Sequence, residues 1–386
     1  MRTAARIEAL PPYLFAEIDR KVAEARAKGA DIISFGVGDP DLPTPDHVVE
    51  ALRDAALDPA THRYPSYVGM PELRSAIASF YERRFKVSLD PDSAIQPLVG
   101  IKEGIFHLPV AFVDPGQVAL IPDPAYPVYE TGTLLAGGVP HLVPLRAEND
   151  FLPDLGSIPK DVLERASVLW LNFPGNPSAA TVERPFFEDA VEFCMRHDLL
   201  LAHDAAYAEI TYDGFVAPSV LEVEGAEECA IEFYSLSKTY NMTGWRIGWV
   251  AGAPMAIEAI KRLKTNIDSG IFDAVQRAAI AALEGPQDQL RNTVERYRAR
   301  RDLLCKGLSS MGIDVSPPRG SIYLWVPVPK GHSSESFATF LLEEAAIVVA
   351  PGNGYGPSGE GFVRFSLTVP DDRLAEGVER LRRVVA

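Results

Sequence analysis

The sequence predicts an α/β protein, with a large body on a mostly parallel seven-stranded sheet and a smaller α+β body after it. Three observations predict this. Short apolar runs bounded by Gly, Pro, Asp or Asn recur through the middle of the chain, and helix-length stretches separate many of them. Beyond about residue 285 the texture changes to a long charged helix and a few strands around a glycine-rich loop. Strands alternating with helices specify a parallel sheet, because parallel neighbours need long crossovers.

The elements follow in chain order. Residues 1–40 hold an amphipathic segment (Pro12–Lys28), an apolar strand (Ile32–Phe35) and the start of a turn-rich stretch (Gly36–Pro45). They are too few to form a core alone and are expected to pack on the other bodies. Residues 41–285 carry the strands Ile95–Val99, Val118–Ile121, His141–Pro144, Val168–Asn172, Leu199–His203, Ala230–Tyr234 and Ile247–Ala251. Helical patterns such as Pro71–Phe85 and Pro185–Arg196 lie between them. Residues 286–386 carry the long helix Gln287–Met311, strands Tyr323–Val328 and Ile347–Ala350, the loop Gly352–Gly356 and strand Phe362–Thr368.

Composition narrows the function classes. The chain has 386 residues, 47% hydrophobic, which is ample for a core and excludes intrinsic disorder. No run of roughly 18 apolar residues marks a membrane span. The start, Met1-Arg2-Thr3-Ala4-Ala5-Arg6, has no apolar signal core, so a cytoplasmic protein is expected. With 37 Lys and Arg against 53 Asp and Glu, the net charge is −16, which disfavours nucleic-acid binding as a main role. Three scattered cysteines, Cys194, Cys229 and Cys305, form no C-x-x-C pair and are expected to be neutral, packed thiols, with no metal site.

In open sheets of this kind ligands sit beyond the carboxyl ends of the strands, and four loops there carry candidate chemistry. In Ser235-Leu236-Ser237-Lys238 a lysine lies among hydroxyls, with Arg246 eight residues on. A lysine used covalently must be kept partly neutral by its surroundings, though a lone lysine here would read as solvated. Asp204, in Asp204-Ala205-Ala206-Tyr207, is either a helix cap or a buried partner for a cation. Asn172-Phe173-Pro174-Gly175-Asn176-Pro177 is a rigid turn able to hold an Asn amide. Gly100-Ile101-Lys102-Glu103-Gly104 opens a helix, and a helix N-terminus favours anions.

Each loop is ambiguous alone. In this order and spacing, from Tyr13 to Arg364, the chain resembles the fold-type I aminotransferases that use pyridoxal 5′-phosphate. Within that family Leu10-Pro11-Pro12-Tyr13-Leu14-Phe15, His62-Arg63-Tyr64-Pro65-Ser66-Tyr67, Lys102-Glu103-Gly104 and Asn266-Ile267-Asp268-Ser269-Gly270 are similar to the LL-diaminopimelate aminotransferases. The resemblance implies that Lys238 bonds the cofactor and shuttles the Cα proton, and that Asp204 pairs with the pyridine nitrogen. It implies that Tyr207 and Asn176 bond the ring oxygen and that Tyr126 stacks on the ring. Ser235, Ser237, Arg246 and the amides of Ile101 and Lys102 would hold the phosphate, with Tyr64 reaching the partner's site in a homodimer. Arg364 would clamp the substrate α-carboxylate, Gly38 would approach it through its backbone, and Tyr13 and Lys102 would lie on the substrate side. Three departures stand out: Ile101 where serine is common, Gly175 for Asn, and Ser178-Ala179 for Thr-Gly.

The implied reaction exchanges an amino group between LL-2,6-diaminopimelate and 2-oxoglutarate in two half-reactions, giving tetrahydrodipicolinate and glutamate. This belongs to lysine and diaminopimelate biosynthesis. The alternatives on the same fold are a transaminase for aspartate, alanine, aromatic residues or N-succinyl-diaminopimelate, and a β-lyase. A regulator carrying this fold would need a DNA-reading module, for which forty residues and a charge of −16 leave no place. A dinucleotide-binding oxidoreductase would need a third glycine and a helix after Gly36-Val37-Gly38, where Asp39-Pro40 stands instead.

Overall fold

Side-chain alternation along the central strands organises the molecule. The computed structural model describes residues 1–8, 10, 14–27 and 29–385. Its strands are β1 (Ile33–Ser34), β2 (Ile95–Leu98), β3 (Val118–Asp123), β4 (Val139–Pro144), β5 (Ala166–Asn172) and β6 (Leu200–Asp204). They continue as β7 (Ala230–Ser235), β8 (Gly248–Gly252), β9 (Tyr323–Pro327), β10 (Ile347–Val348), β11 (Ala350–Pro351) and β12 (Phe362–Ser366). Seven form one sheet in the order β2-β8-β7-β6-β5-β3-β4. Every pair in it is parallel except those of β8, which runs antiparallel to β2 and β7. The expected seven-stranded, mostly parallel sheet is therefore present, and each strand expected within residues 41–285 lies in it.

Helices cover both faces, so the strands are buried on both sides and read as near-continuous apolar runs. Val168 and Trp170 of β5, Ala202 of β6 and Ile231 and Phe233 of β7 pack into one layer, with helices Ile101–Phe112 and Pro254–Lys264. Leu169, Leu171, Leu201 and Tyr234 pack into the other, against helices Pro71–Phe85, Arg184–His197 and Asp273–Glu284. Continuing the period of two, Asn172, Asp204 and Ser235 fall on the first face at the carboxyl ends of three adjacent strands. His203 falls on the opposite face, with its ring against Phe187 and Nδ1 2.9 Å from Glu232.

The smaller body holds the antiparallel sheet β11-β12-β9 and helices Asp288–Ser310, Ser334–Ala345 and Asp371–Val385. β1 pairs in parallel with β10, so the N-terminal segment packs on this body. The run Ile347–Ala350, expected as one strand, is two: β10 pairs with β1 and β11 with β12. A run serving two partners cannot keep one continuous ladder. The N-terminal helix spans Leu14–Ala27, and the outer ends of its predicted range lie outside the described residues. No helix among the described residues is long and apolar enough to cross a membrane.

Candidate active site

A cavity of about 390 Å³ opens at the carboxyl ends of β5, β6 and β7, between the large sheet and strands β9 and β12 of the smaller body. This is where an open α/β sheet offers a binding crevice.

Asp204 forms its floor and is 5% exposed. Tyr129 Oη donates to its Oδ2 at 2.7 Å, and the Ala206 amide donates to its Oδ1 at 3.2 Å. Asn172 Nδ2 holds the Asp204 carbonyl at 2.7 Å. Burial pushes the Asp204 carboxyl up, against the hydrogen bonds from Tyr129 and Ala206. A carboxylate so desolvated is set up to receive a cation.

Lys238 stands above it. Its Nζ donates to the Gly38 carbonyl at 2.7 Å. Burial lowers the amine from 10.5 to about 8, with Asp39 opposing and Arg364 and Arg246 assisting. The surroundings thus move the amine toward the neutral form that nucleophilic or proton-transfer chemistry requires. Tyr207 lies nearby, its hydroxyl 3.1 Å from that of Tyr323. Burial first, then the Tyr323 hydroxyl, pushes the Tyr207 phenol well up, so it stays a neutral donor.

One end of the cavity is built for an anion. Gly100, at φ 69, caps the helix Ile101–Phe112, whose first amides have no intrahelical acceptor. A Cβ on Gly100 would stand 2.2 Å from Arg246 Nη2, so only glycine lets the guanidinium lie over this turn. Arg246 is itself left-handed (φ 57), and its Nη1 donates to the Thr243 carbonyl at 2.8 Å. Ser235 Oγ accepts the Ser237 amide at 3.2 Å. Both hydroxyls line the cavity.

The other end is set by Arg364, 1% exposed. Its Nη1 donates to Asn176 Oδ1 at 2.6 Å and its Nη2 to the Gly36 carbonyl at 2.7 Å. Its guanidinium lies over the Tyr323 ring, 3.9 Å from the centroid. The loop Gly36–Asp41 is tied down along its length. Thr368 Oγ1 donates to the Val37 carbonyl, Lys238 holds that of Gly38, and buried Arg300 grips both oxygens of Asp41 at 2.7 and 2.8 Å. Gly38 is required by close approach: a Cβ would stand 2.0 Å from Tyr323 Oη.

The fold therefore brings Gly38, Ile101, Lys102, Tyr126, Asn176, Asp204, Tyr207, Ser235, Ser237, Lys238, Arg246 and Arg364 to one cavity. Tyr64 is not on its wall: it projects from the surface, 88% exposed. Tyr13 lies outside the described residues. Sequence reasoning missed Tyr129, Asn172, Asp39 and Tyr323. The signal for Asn172 was its place at the end of the predicted strand Val168–Asn172, and for Tyr129 its place three residues after Tyr126. Tyr323 carried no local signal, because it arrives from the other body. The three cysteines pack as expected, with burial pushing Cys229 and Cys305 up to about 11 and Cys194 well above its ordinary value. Among the described residues no cluster of His, Cys, Asp and Glu could hold a metal ion.

A floor carboxylate that needs a cation, an amine beside it and a phosphate-type cradle at one end fit pyridoxal phosphate by the chemistry of their donors. Together with the sheet order, they define a fold-type I transferase. The chain belongs to the class I and II aminotransferases, whose family model matches residues 30–381. That family depends on pyridoxal phosphate in general. The chain is 55% identical over 379 residues to an LL-diaminopimelate aminotransferase of Desulforudis audaxviator, covering 98% of this chain and 97% of the other. It is 52% identical to one of Moorella thermoacetica, covering 100% and 99%. Its backbone matches the apo structure of BacF from Bacillus subtilis with a TM-score of 0.96 at 36% identity, covering 100% and 99%.

Proposed function

We propose that the chain binds pyridoxal phosphate in this cavity and exchanges an amino group between LL-2,6-diaminopimelate and 2-oxoglutarate, giving tetrahydrodipicolinate and glutamate. The observation that carries the cofactor site is the convergence of Lys238, Asp204 and Arg246 on one cavity. The substrate reading rests on the shared name of relatives similar over nearly their whole length. The chain divides near residues 40 and 285, the first segment packing on the C-terminal body.

When bound, the cofactor supplies an aldehyde carbon and an electron sink that makes the substrate Cα–H acidic. Asp204 would face the pyridine nitrogen and favour a proton on it. Tyr207 and Asn176 would donate to the ring oxygen, and Tyr126 would cover a ring face. Ser235, Ser237, Arg246 and the amides of Ile101 and Lys102 neutralise the phosphate. Arg364 binds the α-carboxylate, a task for a planar guanidinium that lysine performs poorly. Gly38 borders the same group, and Tyr13 and Lys102 serve the substrate side. Lys238 Nζ takes the proton from Cα, which its lowered basicity allows near neutral pH. Tyr64, exposed and off its own cavity, serves a second copy, so the working unit is a homodimer with shared sites.

The test is the visible absorbance of cofactor-loaded protein. LL-diaminopimelate and glutamate, added separately, should bleach the cofactor band, while aspartate leaves it. Bleaching only by other amino acids would retain the aminotransferase and discard this substrate. No band after incubation with pyridoxal phosphate would overturn the site.

A further inference from the structure

Two segments singled out in the sequence, Lys102-Glu103-Gly104 and Asn266–Gly270, leave Glu103 and Asp268 without a role in the site described above. One side chain joins them. Lys264, at the end of the helix Pro254–Lys264, is 2% exposed. It donates to Glu103 Oε1 at 2.8 Å and to Asp268 Oδ2 at 2.6 Å. Each carboxylate uses its other oxygen to hold a turn. Glu103 Oε2 accepts the Val99 amide at 2.7 Å, and Asp268 Oδ1 accepts the Gly270 amide at 2.7 Å.

Those two turns lead to different places. Val99 enters the Gly100–Ile101 turn, the anion end of the cavity. Gly270, at φ 93, packs so closely on the next segment that a Cβ would stand 2.6 Å from the Ser66 carbonyl oxygen. Ser66 belongs to the segment that carries the exposed Tyr64. A single buried ammonium therefore braces both the turn that receives the phosphate and the segment that presents Tyr64.

Electrostatics gives the ammonium a second task. Glu103 sits in the first turn of the helix whose N-terminus faces the anion end. Its carboxylate would oppose a bound phosphate, and Lys264, shared with Asp268, offsets that charge in part at contact distance. Stability does not call for such a group, since replacing a buried ion cluster by apolar side chains is often neutral or stabilising. Position and charge at the phosphate do.

We infer that Lys264 is a positioning residue: through Glu103 and Asp268 it couples the phosphate-binding turn to the Tyr64 segment, and so couples one copy's site to its partner's. This rests on the phosphate and dimer reading given above.

The test uses the full-length protein depleted of cofactor, with Asp268→Asn, Lys264→Met, Tyr64→Phe and the Asp268→Asn/Tyr64→Phe pair. Pyridoxal phosphate affinity is measured by equilibrium dialysis, and the bound phosphate by phosphorus NMR. Asp268 lies outside the cavity wall. Even so, Asp268→Asn, by loosening the brace between the two turns, should weaken binding about tenfold and move the phosphorus resonance, where loss of the charge alone would tighten binding. The effects of Asp268→Asn and Tyr64→Phe should be less than multiplicative when combined. A lowered melting temperature with affinity and resonance unchanged would assign the cluster a structural role only and overturn the inference. If Lys264→Met does not fold, Asp268→Asn and the pair still decide. Failure of the unsubstituted protein to bind pyridoxal phosphate would instead overturn the site reading, and this inference with it.

Discussion

Replacing Lys238 with Met in the cofactor-free protein should stabilise it at neutral pH. Burial lowers the amine from 10.5 to about 8. At about 1.4 kcal/mol per pH unit, holding the protonated amine in the folded state costs about 3 kcal/mol. The hydrogen bond from Lys238 to the Gly38 carbonyl is 2.7 Å long. The donor is charged, so losing the bond offsets about 2 kcal/mol of the gain, which leaves the variant about 1 kcal/mol more stable. The sign with pH follows from proton counting. An unfolded chain keeps the lysine proton up to its ordinary value, while the folded protein releases it near 8. The unfolded state therefore binds more protons between the two, and wild-type stability rises with pH across that window. Below it the penalty is present in full. The variant lacks the group, so its advantage should be largest at about pH 7 and shrink by about pH 10. Urea melts of both proteins at the two pH values measure this, and other titrating groups cancel in the difference. An advantage equal at both pH values, or none at neutral pH, would refute burial as the cause of the lowered basicity.

Two further outcomes are expected. Tyr129→Phe removes the 2.7 Å donor to Asp204, a charged hydrogen bond of about 1.5–3 kcal/mol. It should lower kcat roughly tenfold or more and shift the nitrogen NMR signal of a labelled cofactor ring; an unmoved signal would mean that Asp204 does not depend on Tyr129. Arg364→Lys should raise KM for both the amino donor and the oxo acid, roughly a hundredfold for the loss of about 3 kcal/mol of charged hydrogen bonding. Steady-state kinetics checks it, and an unchanged KM would place the carboxylate elsewhere.

Much of this was legible in the sequence because it is local. Short apolar runs mark β5, β6 and β7, and the two-residue period of a strand turns Asp204 and His203 to opposite faces. The glycine at position 100 announces a turn into a helix, and the Ser235–Lys238 loop follows directly from β7. What is not local was not legible. Tyr323 comes from the smaller body with no local signal, and the Gly38 backbone is needed only because Tyr323 arrives against it. Tyr64 is named by its motif, yet its place away from its own cavity depends on where the chain folds.

The sequence by itself determined the sheet, the order of the site loops and the residue types able to do the chemistry. These depend on short-range periodicity and on motifs whose spacing is visible along the chain. Only the tertiary structure decided the environment that makes those residues work. The low basicity of Lys238, the donor that Tyr129 brings to Asp204 and the bracing of two distant turns by Lys264 all arise from burial and from contacts across many residues. Desolvation and charge pairing are properties of packed space, and a linear pattern does not carry them.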